Sequence, residues 1–255
     1  MRNINQELAK LQHQKIEKPF DFSNVGHVGV LGNISSEFSP DSVTGLICWL
    51  KADAGITKDG SDLVSNWADQ SGNSNDVAQA TGSKQPLWVD SVYNSLPTVR
   101  FDGVDNSLRK ATWSGGEESQ ANTIFIVCKF STINDSWVFD GGTTSKKNGM
   151  QRSGTGTYRP YAGTLAGTVS VNTAFSYYTV IYNTTSSSIR RNGSSVETGL
   201  SIGTQEANGL TLGSLQTEAS GYSDPDISEV LFYDSEITGD DLTNIESYLA
   251  TRWDL

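Results

Sequence analysis

WADQSGNSNDVAQ (residues 67–79), followed by QPLWV (85–89) and LPTVRFDGVDNSL (96–108), is the stretch on which the fold turns. Trp67, Trp88, Val99 and Phe101 sit in short apolar patches separated by clusters of Gly, Asn, Ser, Pro and Asp. Those clusters select tight turns, and the patches between them are strand cores. Short strands at this spacing make a sandwich. Downstream, TIFIVCKF (123–130), WVFD (137–140), YYTVIYN (177–183), SSIRRNGSSV (187–196), LTLGS (210–214) and ISEVLFYD (227–234) are rich in β-branched and aromatic residues and predict further strands. Arg191-Asn192-Gly193-Ser194 carries the Asn-Gly pair of a two-residue type I′ turn, whose central residues need positive φ, and predicts a hairpin. One helix closes the body: Thr238 is placed to cap it, Asp241 stands at the capping-box position, and Leu242, Ile245, Leu249 and Trp253 form a stripe to pack on the sandwich.

A chain of 255 residues buries a substantial core, and two-sheet sandwiches use that much sequence as one main domain. The net charge of −11 argues against nucleic-acid binding, which needs a basic face. Residues 1–40 are neutral, with Arg2, Lys10, Lys15 and Lys18 balancing Glu7, Glu17, Asp21 and Glu37, so residues 41–255 carry the whole charge. The chain therefore divides at that point into an arm and a body. Ile4, Leu8, Leu11 and Ile16 recur at helical intervals before Pro19, predicting an amphipathic helix over 3–17. A helix of that length is marginal alone, so its stripe meets either the body or identical helices of a small bundle. The following residues, 20–42, suit an extended arm that orders on a neighbour's surface. Ile4, Leu8, Leu11, Phe20 and Phe22 are the expected anchoring residues. No run of some eighteen apolar residues is present, so no membrane span is expected. Nor does the N-terminus show the apolar region of a secretory signal. Cys48 and Cys128 lie in apolar strand-like runs and read as small buried hydrophobes.

Joined to LICWLKADAG (46–55) and DISEVLFYDSEITGDDLTNIESYLATRWDL (226–255), the opening phrases resemble the laminin-G-like, concanavalin A-like jelly-roll modules of bacterial and phage proteins, over about residues 43–255. The resemblance implies an all-β, two-sheet antiparallel jelly-roll sandwich with a C-terminal helix, preceded by the N-terminal helix and extended arm. It further implies a non-enzymatic virion surface protein, whether capsid decoration, head fibre or tail-associated, attached to capsid or tail proteins through the arm. A homo-oligomer is expected, with a trimer favoured. Release of such particles by lysis would place the protein outside the cell without a secretory signal. A carbohydrate-binding receptor-recognition module contacting cell-surface glycans is the alternative, and a polysaccharide-degrading enzyme ranks last.

Candidate chemistry is sparse. Asp224, Asp226 and Glu229 in SDPDISEVLF (223–232) invite comparison with laminarinase-like hydrolases of this superfold, which carry Glu, Asp and Glu at alternate positions or with one inserted residue. Here the first acid is an aspartate and Pro225 interrupts the run, so no catalytic residue is assigned. Laminin-G-like modules carry a similar Asp-Ile-x-Glu before the final strand. On a regular strand Asp226 and Glu229 would face opposite ways, and only a bulge would bring them together. Asp69, Asn73 and Asp105, in the Gly-rich segments ADQSGNSND (68–76) and FDGVDNS (101–107), are oxygen ligands of the kind Ca²⁺ takes, although turns select the same residues for their φ/ψ. Both histidines, His13 and His27, fall in the arm, so the body can build no His-based triad or zinc site. Tyr158, Tyr161, Tyr177, Tyr178, Trp113 and Trp137 fall near turn-rich segments. Of these, Tyr158, Tyr161 and Trp113 are the expected carbohydrate-binding aromatics, stacking on sugar rings beside Asn and Asp donors and acceptors.

Overall fold

Alternation across a sheet organises the body. The computed structural model, which describes residues 38–132 and 135–255, runs through β1 (Leu46–Lys51), β2 (Ile56–Lys58), β3 (Val64–Trp67), β4 (Val77–Ala78), β5 (Leu87–Tyr93), β6 (Leu96–Arg100), β7 (Leu108–Lys110) and β8 (Asn122–Phe130). It continues with β9 (Ser136–Asp140), β10 (Gly149–Arg152), β11 (Thr157–Tyr161), β12 (Val169–Ser170), β13 (Ser176–Tyr182), β14 (Ser187–Arg191), β15 (Ser194–Leu200), β16 (Leu210–Leu212), β17 (Pro225–Tyr233) and helix α1 (Gly239–Trp253). The expected helix over 3–17 and the anchoring residues Ile4, Leu8, Leu11, Phe20 and Phe22 lie outside the described residues. Phe38 packs edge-on against Tyr248, and the Pro40 carbonyl accepts from the Tyr233 hydroxyl at 2.9 Å.

Sheet A orders its strands β15-β14-β13-β8-β17-β6-β5, with β1 also paired to β17. Sheet B runs β12-β11-β10-β9-β16-β7-β4-β3-β2. Every strand pairing described is antiparallel, which gives the two-sheet antiparallel sandwich expected from the sequence. The hairpin turn is also as expected, with Asn192 at φ 46° and Gly193 at φ 74° between Arg191 and its partner Ser194. Among the described residues no helix is long and apolar enough to cross a membrane.

Two apolar clusters hold these layers. Between the sheets lie Trp67, Phe101, Trp113, Phe130, Phe139, Tyr158 and Tyr178, with both free cysteines among them. Outside sheet A a second cluster joins Trp49, Phe125, Tyr177, Leu231 and Tyr233 to Ile245, Leu249 and Trp253 of α1. Burying a Trp or Leu side chain on such a face is worth about 1.5–3 kcal/mol, so α1 is held mainly by this stripe. Strand β17 lies between the two clusters and is buried along its whole length.

Two details differ from the sequence reading. Thr238 holds the N-cap position in extended backbone, yet its hydroxyl makes no capping bond. Asp240 and Asp241 occupy the first turn, where negative charge suits the helix dipole. Strand alternation alone would put Leu46 on one face with Cys48 and Leu50, but in β1 a register shift between Leu46 and Cys48 turns Leu46 toward the α1 side while Cys48 and Leu50 stay between the sheets.

Candidate functional site

Among the described residues α1 packs on the outer face of sheet A, and no α-helix lies over the outer face of sheet B. Its strands β9, β10 and β11, with Lys147 beside them, bring together Trp137, Tyr161, Gln151 and Arg159. In β11, Tyr158 and Pro160 are buried while Thr157, Arg159 and Tyr161 are half-buried, so alternation delivers the last three to the outer face. Gly149 of β10, paired with Tyr161, leaves the space beside it open. The Trp137 indole occupies that space: a Cβ at position 149 would stand 2.8 Å from its ring.

Tyr161 meets Trp137 edge-on, with centroids 5.6 Å apart and planes at 82°. Lys147 Nζ lies 4.8 Å from the Trp137 ring centroid and 5.0 Å from that of Tyr161. The same ammonium donates to Asp140 Oδ2 at 3.2 Å and to Gln216 Oε1 at 3.4 Å. Asp140 is fully buried and also accepts the backbone N–H of Gln216 and of Gly141. Burial pushes its carboxyl pKa up, against the pull of Lys147 and these N–H groups. Beside this cluster Arg159 Nη2 donates to Gln151 Oε1 at 2.6 Å, and the buried Arg159 Nε has no acceptor. The result is an aromatic corner flanked by a fixed ammonium, an amide and a guanidinium. Such a face stacks on a sugar ring and hydrogen-bonds its oxygens.

The three expected sugar-binding aromatics separate. Tyr161 is on this face. Tyr158 is in the core, packed on Phe130 and Tyr178 with its hydroxyl bonded to that of Tyr178. Trp113 is buried against Phe232, with centroids 5.3 Å apart. Neither ring offers a face to a ligand, and both assignments are corrected to core packing. Trp137, Lys147, Gln151 and Arg159 had no functional assignment from sequence. The alternation in TYRPY (157–161) was the signal that marks Arg159 and Tyr161 as sharing a face.

Loop acids behave as turn residues. Asp69 Oδ1 accepts the N–H of Trp49 and of Ser71, and its Oδ2 accepts the Ser71 hydroxyl and the Asn75 N–H. Asn73 Nδ2 donates to the carbonyls of Leu46 and Ile47. The loop of Asp105 is closed by Asp102 Oδ1, which accepts the N–H of Val104, Asp105 and Asn106; it precedes Leu108 of β7, whereas Ser74 and Asn75 of the Asp69 loop bond Lys110 and Ser114 at the other end of that strand, so Asp69 and Asn73 are not brought to Asp105. Among the described residues no three His, Cys, Asp or Glu side chains are grouped to hold a metal ion.

The acids of β17 are each engaged. A bulge between Ile227 and Glu229 does bring Asp226 and Glu229 to one side of the strand, the side that faces α1. There Asp226 takes Arg100 in a two-bond fork at 2.7 and 2.8 Å and the Tyr93 hydroxyl at 3.0 Å. Glu229, fully buried, accepts from Trp49 Nε1, Tyr248 Oη, Trp253 Nε1 and Arg252 Nε at 2.7–3.1 Å. Asp224 accepts from Arg152 and Thr132. A cleft of about 410 Å³ at the entrance to β1, lined by Ser42, Thr44, Asp234, Glu236 and Asp241 among others, contains no aromatic face.

No protein-family model and no curated protein matches the chain. Solved structures do. A sialidase from Trypanosoma rangeli in complex with sialic acid superposes with a TM-score of 0.56 at 13% identity, over 82% of this chain and 33% of that one. Domain 4 of AbnA, a GH43 extracellular arabinanase from Geobacillus stearothermophilus, in complex with arabinotriose, does so with a TM-score of 0.56 at 12% identity, over 79% and 98% of the two chains. A GH54 α-L-arabinofuranosidase gives a TM-score of 0.58 at 13% identity, over 75% and 51%. The chain thus spans about a third of the length of the sialidase it matches. These likenesses establish a sandwich fold shared with chains of carbohydrate-active enzymes. They overturn two expectations, a non-enzymatic virion surface protein and the exclusion of an enzyme, because the neighbours are glycosidase chains. The alternative of a carbohydrate-binding module agrees with them better.

Proposed function

We propose that this chain is a carbohydrate-binding β-sandwich module whose glycan-contact face is the outer surface of β9–β11, centred on Tyr161. One observation carries the reading: a half-exposed tyrosine stands beside an amide, an ammonium and a guanidinium held in place on rigid strands. Rigid elements keep such a constellation in register, and an aromatic face over polar donors is what sugar rings require. The likeness to a whole arabinanase domain in complex with arabinotriose supports the same reading, as does the laminin-G-like resemblance of the strand phrases. Titration calorimetry of the chain against neutral and acidic oligosaccharides, arabinotriose among them, tests it. Tyr161→Ala is expected to weaken binding roughly tenfold, the loss of one stacking contact. Equal affinity of this variant and the parent, with near-UV circular dichroism unchanged, would move the site elsewhere.

A further inference from the structure

We infer that the ligand of this face carries a carboxylate, received by Arg159 while its sugar ring lies on Tyr161. The inference rests on the carbohydrate-binding reading and narrows it to acidic sugars. Arg100, Arg109, Arg152, Arg190 and Arg252 each meet a carboxylate of the chain. Among the described residues Arg159 meets only the neutral Gln151 amide. Its Nε is buried and without an acceptor. An N–H in that position is costly unless something accepts from it, and exceptions of this kind point to a missing partner. A guanidinium edge is planar and matches the two oxygens of a carboxylate, the strongest acceptor it can take. Among the described residues Arg191 also meets no carboxylate, but only Arg159 combines that lack with a buried N–H left without an acceptor, in a body that carries the chain's net charge of −11. Position matters as well as charge. Residues 159 and 161 share one face of β11, about 7 Å apart along the strand, so a carboxylate on the ring that stacks on Tyr161 can reach Arg159. Lys147 is tied to Asp140 and Gln216 behind the rings and adds positive potential without competing for the ligand.

Calorimetry on the full chain tests this with N-acetylneuraminyl-lactose, trigalacturonate, the methyl ester of each, and arabinotriose. The ester keeps the shape of the sugar and removes its charge. At least one acid is expected to bind roughly tenfold tighter than its ester, and the arm that does so tells a sialic acid from a hexuronic acid. The preference should weaken with added salt and vanish in Arg159→Gln, with Arg159→Lys intermediate because it keeps charge but not the planar fork. Unchanged thermal unfolding of both variants confirms that the fold is intact. Equal binding of acids and esters, binding of arabinotriose alone, or a preference that survives in Arg159→Gln overturns the inference and leaves carbohydrate binding standing. No binding of any of the five sugars overturns both.

Discussion

Replacing Glu229 by glutamine probes the interface between the sandwich and α1. The carboxylate is 0% exposed, and its two oxygens divide four donors: Trp49 Nε1 and Tyr248 Oη on one, Trp253 Nε1 and Arg252 Nε on the other. An amide has one oxygen. Turned either way, its NH₂ group confronts an indole N–H that cannot accept, since tryptophan only donates. Tyr248 can rotate to accept instead, so the better orientation strands the Trp49 N–H, at a cost of about 1–3 kcal/mol for one buried unsatisfied donor. Arg252 loses a charged acceptor but keeps Asp53 at 2.7 Å and remains partly exposed, which adds about 1 kcal/mol. The expected destabilisation is about 2–4 kcal/mol, or roughly 5–15 °C in Tm for a body of this size. Urea and thermal unfolding followed by tryptophan emission measure it. The penalty also depends on pH. Burial pushes the Glu229 carboxyl above its ordinary 4.5, against the pull of Arg252 and the ring donors. A carboxyl whose folded pKa is raised contributes stability that is complete below 4.5 and is lost as pH rises through the folded value. Glutamine lacks that slope, so the gap between parent and variant is widest in acid and narrows toward neutrality. A variant within 0.5 kcal/mol of the parent across this range, on the ordinary scale of a surface change, would refute the reasoning.

Asp226→Asn should cost roughly 1–2 kcal/mol, limited because Arg100 is 46% exposed. It should also lower the Tyr93 pKa, which burial and the Asp226 charge now raise; ultraviolet titration of tyrosine reads this. Gly149→Ala places a methyl 2.8 Å from the Trp137 ring and 2.9 Å from Asp140 Oδ1, so a loss of about 1–3 kcal/mol is expected, together with weaker glycan binding as Trp137 is displaced. Excess Ca²⁺ or chelator should leave Tm unchanged at the Asp69 loop, since both Asp69 oxygens already accept two donors each. A rise in Tm with Ca²⁺ that Asp69→Asn abolishes would instead support the expected metal at this loop.

Sheet A was legible because its central strands are buried on both faces. TIFIVCKF and ISEVLFYD are near-continuous apolar runs, and they became β8 and β17. The stripe of α1 was legible for the same reason. Sheet B was only partly so: WVFD and LTLGS became β9 and β16, but β10 (GMQR) and β11 (TYRPY) are polar on the outer face and short, and their period-2 signal is weak beside the glycines around them. The proposed binding face lies in that weak region, which is why Tyr161 was found and Arg159 and Gln151 were not. Trp113, outside any strand, and Tyr158, in β11, misled because proximity to a turn in sequence does not fix which way a side chain points. One residue of register decides between core and solvent.

The β17 bulge shows how one such step assigns function to a face. Had the strand stayed regular, Asp226 and Glu229 would have pointed to opposite sides, one of them into the apolar core between the sheets. With the extra residue, Ile227, Val230 and Phe232 face that core, while Asp226 and Glu229 turn toward α1. Tyr93, stacked on Phe175 at 3.7 Å, links Asp226 to the same wall that Trp253 forms over Glu229. Two acids that stand three apart in the sequence are in this way fixed at the seam that seats the helix. Their donors are indoles, phenols and guanidinia, which leave no oxygen of Glu229 free for a ligand. Among the described residues α1 covers that side of sheet A, and no α-helix covers the outer surface of sheet B, where the proposed glycan contact lies. There the strands carry Tyr161 and Arg159 outward, on a rigid frame.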